Sequence, residues 1–435
     1  MRRPRAKTLR LAAVTVASAA VTAACGVSNA SNGGSLAAGP TGTPITVGIS
    51  EPLSGPAQAQ GFQADGQACL KGYQLWASDV NSHGGLNGHP VKLVVMNDQG
   101  WISSTKYDYR WLITHDHVNL VLAPFSSLLT SQAAGPVTEQ YHYALAAGQA
   151  GAPIVYQLKD PDLFSTNVPV STQMVPFAKW IAAQGHRYTT AAYPMVSDPF
   201  ADPPVTNTRT FLEAHGIQTI YHTGPDGYTK VTPAALTADA RLVAHKNADI
   251  VVLGSVDVPT VQLFMHVFAQ EHYTPKVFMA SAGPDQGQAF LNVVGISNAI
   301  GMMVPNGWYG GYPNALSHVM VQDYIAKYGG TASDINADVA ESYSAGQTIA
   351  AAVQATHGTV QSQLVSWLHS HTVQTVLGPV AFDDSGMNTQ AANSATIFQW
   401  QPGAGGTGAQ FVQVLPGPPH PGARLVIPIK APLSG

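Results

Sequence analysis

The sequence predicts an α/β protein made of two doubly wound units, each with a parallel sheet. Short apolar runs bounded by turn residues alternate with helical stretches of ten or more residues. That alternation restarts after about residue 165, so the chain holds two such series. The 435 residues are 45% hydrophobic and only 10% charged, which is enough chain for two real cores.

In the first series, Ile45 to Ile49 is a short β-like run that ends in the turn-rich "SEPLSGPAQAQG". A helix follows, because Cys69, Tyr73, Trp76 and Val80 recur at i, i+4, i+7 and i+11 on one face. Asn81 and Gly84-Gly85 stop it. The turn Asn87-Gly88-His89-Pro90 introduces the buried strand "VKLVVM". A helix through Tyr109-Arg110-Trp111-Leu112 leads to the strand "VNLVLA"; "PFSS" opens another helix, and "YALAA" reads as the next strand.

The second series runs "TTAAYPM" (strand), 205–215 (helix), "GIQTIY" (strand), 233–246 (helix), "ADIVVLG" (strand), 259–271 (helix) and "KVFMA" (strand). Two long helical stretches follow, near 314–328 and 337–357. The segments "TVLGPVAFD" and "ATIFQWQ … AQFVQVLP" read as antiparallel strands with a Gly-rich turn.

The chain opens MRRPRAKTLR, with five cationic side chains in ten residues, and fourteen small or apolar residues run from Leu11 to Ala24. This is a charged and then apolar leader, too short to span a bilayer stably. In "TAAC" the apolar run stops at Cys25. That resembles a bacterial lipobox, with Thr22 where a large aliphatic residue is usual; an ordinary signal peptide that contains a cysteine is the alternative. Residues 25–43 then form a flexible tether reaching roughly 20–25 Å. After the leader no apolar run is long enough to cross a membrane, so the body reads as soluble.

The net charge of −4 includes the five cations of the leader, and no basic stripe occurs, which argues against nucleic acid as a partner. Cys69 is the only other cysteine, so no intrachain disulfide is expected; it reads as a small buried hydrophobe.

Signatures of catalysis are missing. There is no G-x-S-x-G, no phosphate-cradling loop, no H-E-x-x-H and no C-x-x-C. The one G-x-G-x-x-G, at Gly403, Gly405 and Gly408, lies between two late strands and opens no helix. His115 with His117, and His369 with His371, read as solvated histidines at helix ends. Asp383-Asp384 before Gly386 is turn chemistry. No metal and no cofactor are expected.

Ligands of open α/β sheets bind beyond the carboxyl ends of the strands. At the junction "APFSSLLTSQ", Ser126 and Ser127 either cap the next helix or present an oxygen-binding site.

Six segments in order resemble the type I periplasmic binding proteins of ABC importers, in the amino-acid/amide (branched-chain amino acid-like) family. They are "ITVGISEPLSGP", "ASDVNSHGGLNGHPVKLVVMNDQ", "APFSSLLTSQAAGPVTEQY", "AAGQAGAP", "SDPFA" and "TVLGPVAFDDSG … FQWQPG". The resemblance implies two lobes joined by three crossing segments, near 160–168, 299–306 and 372–380. Lobe 1 is then 44–165 with 302–374, and lobe 2 is 166–301 with 375–435.

Carried over residue by residue, it implies ligand contacts from Gln60, Phe62, Phe125, Ser126, Ser127, Gln149, Ala150 and Gly151 in the first lobe. In the second lobe it implies Phe200, Ser255, Val256 and Ala282, with Trp308 and Tyr309 just after a crossing. Gly151 stands where a hydroxyl is frequent, and Val256 where an aromatic is common. At Ala282 the family's amino-acid binders carry an acid for the α-ammonium, with Asp285 or Asp198 as possible substitutes here. A missing acid points to a neutral or carboxylate-bearing solute, such as an amide, a urea-like compound or a small organic acid.

The expected function is a monomeric, membrane-tethered solute-binding protein on the outer face of the cell membrane, serving ABC permease subunits and not an enzyme. A ligand-sensing module of the same fold, an enzyme on this fold and a diverged chain that only contacts protein are the alternatives.

Overall fold

The computed structural model describes residues 39–55, 62–224, 227–391, 395–403 and 408–417. The leader, Cys25, Gln60 and residues 418–435 lie outside the described residues.

The first series begins with β1 (Ile45–Glu51), α1 (Phe62–Ser82), β2 (Val91–Asn97), α2 (Ile102–Thr114) and β3 (Leu120–Leu122). Residues 127–140 are helical, with a π turn at Thr130–Ala134, and lead to β4 (Leu145–Ala147) and β5 (Leu163–Ser165). These strands form one parallel sheet in the order β2-β1-β3-β4-β5. Its central strands are buried on both faces, which is why they read as unbroken apolar runs.

The second series contains α3 (Val175–Ala182), β6 (Thr190–Tyr193), α4 (Asp202–Ala214), β7 (Gln218–His222), α5 (Pro233–Lys246), β8 (Ile250–Leu253), α6 (Val258–Gln270), β9 (Val277–Ala280), α7 (Gly287–Val294) and β10 (Met303–Asn306). Three helices follow: α8 (Ala315–Tyr328), α9 (Ala337–Thr356) and α10 (Gln361–Ser370). The chain ends its described part with the hairpin β11 (Val373–Thr375) and β12 (Gly378–Val380), then β13 (Thr396–Pro402) and β14 (Ala409–Leu415). The second sheet has the order β14-β13-β10-β9-β8-β6-β7. It is parallel from β7 through β10, while β13 and β14 add antiparallel.

Two of the expected borders fall later than the sequence suggests. β10 pairs with β9 and β13, so residues 303–306 belong to the second sheet and the chain leaves it after Asn306. Val373, Val376, Val380 and Phe382 are buried in the first core, and Phe382 meets Phe164 edge-on at 5.2 Å. The 373–380 hairpin therefore stays with the first sheet, and the last passage starts beyond Phe382. Apolar runs locate strands in a sequence, but which core those strands bury in is decided by partners far along the chain.

Two glycines set how closely α1 and α9 pack. A methyl at Gly72 would stand 2.3 Å from the carbonyl oxygen of Val339, and one at Gly346 would stand 2.4 Å from the Trp76 ring. Trp76 is fully buried, and the Tyr343 hydroxyl ties the two helices further by donating to Asp79 Oδ2 at 2.8 Å. Gly72→Ala and Gly346→Ala should each destabilise the protein by about 1–3 kcal/mol or more, since neither clash is with a free side-chain end. Urea unfolding of each variant measures this; a midpoint equal to that of the parent would show that the two helices have room to separate.

Candidate solute-binding site

The loops after β3, β4, β5, β6, β8, β9 and β10 all leave the carboxyl ends of parallel strands, and most of them converge on one cavity between the two sheets. It offers about 70 Å³ to a water-sized sphere, room for roughly five waters at the ~10–15 Å³ each requires.

Eight of the expected contacts line it: Phe62, Phe125, Ser126, Ser127, Gln149, Phe200, Val256 and Ala282. Phe62 and Phe125 meet edge to face at 5.5 Å. Ser126 stands at the N-cap position of the 127–129 turn, yet its side chain makes no cap bond. Its Oγ is buried without a partner. Of the two roles open to Ser126, capping is therefore not the one it fills. Ser127 differs. Its Oγ donates to the Gln149 carbonyl at 3.1 Å and accepts from the Ala152 N–H at 3.2 Å, so it ties two loops together. The Gln149 amide donates to the Asp338 carbonyl and to Ser342 Oγ, both at 3.0 Å, which leaves Oε1 unpartnered. Phe200 is held by its N–H, which donates to Asp198 Oδ1 at 2.7 Å.

Five expected contacts do not line this cavity. Ala150 and Gly151 are turned into backbone structure: the Ala150 carbonyl accepts from Ser165 Oγ at 2.9 Å, and the Gly151 carbonyl accepts from the Val170 N–H at 2.9 Å. Ser255 is buried, its Oγ donating to the Ala282 carbonyl at 2.7 Å. Trp308 is a core residue of the first lobe whose Nε1 donates to Ser317 Oγ at 2.8 Å. Tyr309 packs on Phe398 at 4.9 Å and, with Trp308, borders a neighbouring cavity of about 310 Å³.

What the sequence reasoning missed is mostly acidic. Asp65 on α1, Asp338 and Glu341 on α9, and Asp198 and Asp285 on second-lobe loops all line the cavity. Among the described residues lining it there is no lysine, arginine or histidine. Asp65 Oδ1 accepts from the Gln286 amide across the cleft, and the Asp65 carboxyl also pairs with that of Asp338. Ala282 itself brings no acid, while Asp285 and Asp198, the substitutes the sequence offered for one, both stand in the lining. Asn167, Gln173, Ser281, Gln286, Pro305, Asn306, Gly307 and Ala337 complete the lining, and Gln173 Oε1 is buried without a partner.

Burial drives the pKa of each of these acids up. Asp65, next to Asp338 and Asp285, is held well above the carboxylate range, and so is Glu341 beside Asp338. Asp338 is raised by burial and by Asp285. Asp285 and Asp198 are each pushed to about 6, with backbone N–H donors opposing the loss of water. Glu51, just behind Phe125, is also buried and raised.

Residues 44–407 match the periplasmic binding protein family, and the chain belongs to it. The members of this type I family bind solutes and are not enzymes. Similar folds include the solute-binding protein of an ABC transporter from R. palustris in complex with benzoate, at 15% identity over 86% of this chain and 96% of that one, with a TM-score of 0.68. The branched-chain amino acid transporter substrate-binding protein LivJ from Streptococcus pneumoniae, in complex with isoleucine, is 17% identical over 85% of this chain and all of that one, with a TM-score of 0.66. The leucine-binding protein LivK from Thermotoga maritima is 15% identical over 84% and 97%, with a TM-score of 0.67. At such identities the likeness is one of fold.

The raised acids set the sign of a pH dependence. A carboxyl whose pKa is higher folded than unfolded holds more protons in the folded state between the two values. Stability therefore falls as pH rises from about 4, the unfolded range, through about 6 for Asp285 and Asp198 and beyond for the others. The solute-free protein should melt at a lower temperature near pH 7.5 than near pH 5. Glu341→Gln should shrink the difference. Calorimetry over that interval tests this, and a melting temperature that climbs with pH would contradict it.

Proposed function

We propose that this protein is the extracytoplasmic solute-binding component of an ABC importer, acting as a monomer tethered to the outer face of the membrane through lipidated Cys25. It captures a small amine-, amide- or amino-acid-like solute by closing two lobes and hands it to the permease subunits. One observation carries the reading: both sheets send loops into a single cavity whose walls include the unpartnered Ser126 Oγ, Gln149 Oε1 and Gln173 Oε1. Buried polar atoms without partners are costly, so a cavity that concentrates them is built for a guest that completes them. The ABC-transporter relatives of this fold and the cationic, then apolar leader before Cys25 support the transport role and the tether. Among solutes that fit the fold, organic acids are disfavoured by the carboxyls of the walls.

Closure costs no chemistry; it needs only that the solute binds the closed form better than the open one. Ser126→Ala should weaken solute binding by roughly 1–3 kcal/mol through a lost hydrogen bond. Phe200→Ala should weaken it by removing apolar cover from the opposite lobe. Both variants should keep the parent's far-ultraviolet circular dichroism. Calorimetric titration reads both, and unchanged affinity in the two together would move the binding site elsewhere.

The tether is tested separately. Cys25→Ala should release the protein from membranes or block its maturation, and mass spectrometry of native protein should find a lipid on Cys25. An unmodified mature N-terminus would end the lipoprotein reading and leave the binding role standing.

A further inference from the structure

The walls of the cavity say more about the guest than its size does. Three features coincide there. The lining carries five carboxyl groups, from Asp65, Asp338 and Glu341 on one lobe and Asp285 and Asp198 on the other, with no cationic side chain among the described lining residues. Gln149 and Gln173 are more than nine-tenths buried, and each keeps its amide oxygen, an acceptor, without a donor. Finally, the rings of Phe62, Phe125 and Phe200 share the same space.

Each candidate class of guest meets these features differently. A carboxylate opposes ionisation of these acids and finds no cationic side chain to meet it. A neutral amide supplies donors but does nothing to favour the ionised form of the wall's carboxyls. A quaternary ammonium balances charge yet brings no N–H for the waiting acceptors. Among the described residues no group of three or more His, Cys, Asp or Glu is arranged to hold a metal ion. An N–H-bearing cation satisfies all of them, and aromatic faces add to its binding.

We propose that the cleft selects a small organic cation with N–H donors and no carboxylate, an amine, amidine or guanidine. Its charged end lies among Asp65, Asp338, Glu341 and Asp285, and its carbon atoms lie against the phenyl rings. This rests on the reading of the cavity as the solute site and narrows it.

Binding of such a cation favours the ionised form of the surrounding acids. The groups that face it are Asp65 from α1, Asp338 and Glu341 from α9, Asp285 and Asp198 from the second-lobe loops, with Glu51 behind Phe125 and Asp257 near enough to act on Asp65 and Asp198. Their carboxyls are raised by burial, so they ionise more fully as pH rises, and cation affinity increases with pH across that range.

The test uses the purified full chain with agmatine, putrescine and ethanolamine as probes and leucine, acetamide, benzoate and tetramethylammonium as comparators. Thermal shift and calorimetric titration are run near pH 5.5 and near pH 7.5. At least one amine should bind about tenfold or more tightly than every comparator, and more tightly at the higher pH. Asp338→Asn and Glu341→Gln should each weaken that binding about tenfold or more while raising the melting temperature of the solute-free protein, because each removes a like charge from the cluster. A purely structural role for these acids would lower the melting temperature instead, and would overturn the inference. Tighter binding of leucine, acetamide, benzoate or tetramethylammonium, lost in Phe200→Ala, would overturn the carboxylate-free N–H cation as the guest and keep the cleft as the solute site. Failure of every amine to bind at millimolar concentration would also overturn it. A metabolite extract that stabilises the parent but not Phe200→Ala would then keep the solute-binding role alone.

Discussion

The close approach of α1 to α9 is the constraint on which the site depends. Gly72 lets the Val339 carbonyl sit where a side chain would be, and Gly346 does the same for the Trp76 ring. At that spacing, residues near the start of the two helices share one end of the interface. Asp65 stands one turn into α1, and Asp338 and Glu341 stand in the first turns of α9. The packing that builds the first core thus also forces carboxyl groups together at its mouth. The cost of burying them is carried by the large apolar contact behind them, where Tyr73, Trp76, Ala345, Ile349 and Val353 are buried.

The second sheet adds the opposite wall with less rigidity of purpose. Its loops are pinned by hydrogen bonds that do not involve a guest. Ser255 and Ser281 hold each other, with the Ser255 N–H donating to Ser281 Oγ at 2.8 Å, and Asp257 caps α6 through the Thr260 N–H at 2.7 Å. Asp198 organises its own turn around Phe200, and Asp285 accepts from the Gly283 N–H at 2.8 Å. These acids have a local role in loop geometry and present their remaining lone pairs to the cavity. A site assembled this way is stiff before the solute arrives, so less of the binding energy is lost to ordering side chains.

The fold was legible because its signals are local. Buried parallel strands read as apolar runs, and the α1 face at Cys69, Tyr73 and Trp76 read as a helix stripe. The lining of the candidate cavity was legible where strand-to-helix junctions carry it, as at Phe125, Ser126, Gln149 and Phe200. It failed where the deciding partner is remote in sequence. Nothing near Trp308 announces Ser317, and nothing near Gly151 announces Val170. The acids left a trace that pattern reading passes over. Asp65 lies four residues before Cys69, so it extends the very stripe that marks the buried face of α1. Asp338 and Glu341 are three apart in a helix otherwise rich in small and apolar residues. A charged group on a buried face is costly unless it has a task, which makes such a residue a better pointer to a site than another aromatic.

The Asp65 carboxyl joins binding to closure. Oδ1 accepts the Gln286 amide, which comes from the other lobe, while the same carboxyl faces that of Asp338 at the cavity wall. A hydrogen bond to an ionised carboxylate is roughly twice as strong as one to a neutral group. In the empty cleft, burial and the neighbouring Asp338 favour the protonated form of Asp65, which weakens the bond between the lobes. The cation proposed above, set beside Asp65 and Asp338, would favour the ionised form and strengthen it. The guest then needs no contact of its own with Gln286 to stabilise the closed arrangement, because the same carboxylate reports its charge from one lobe to the other.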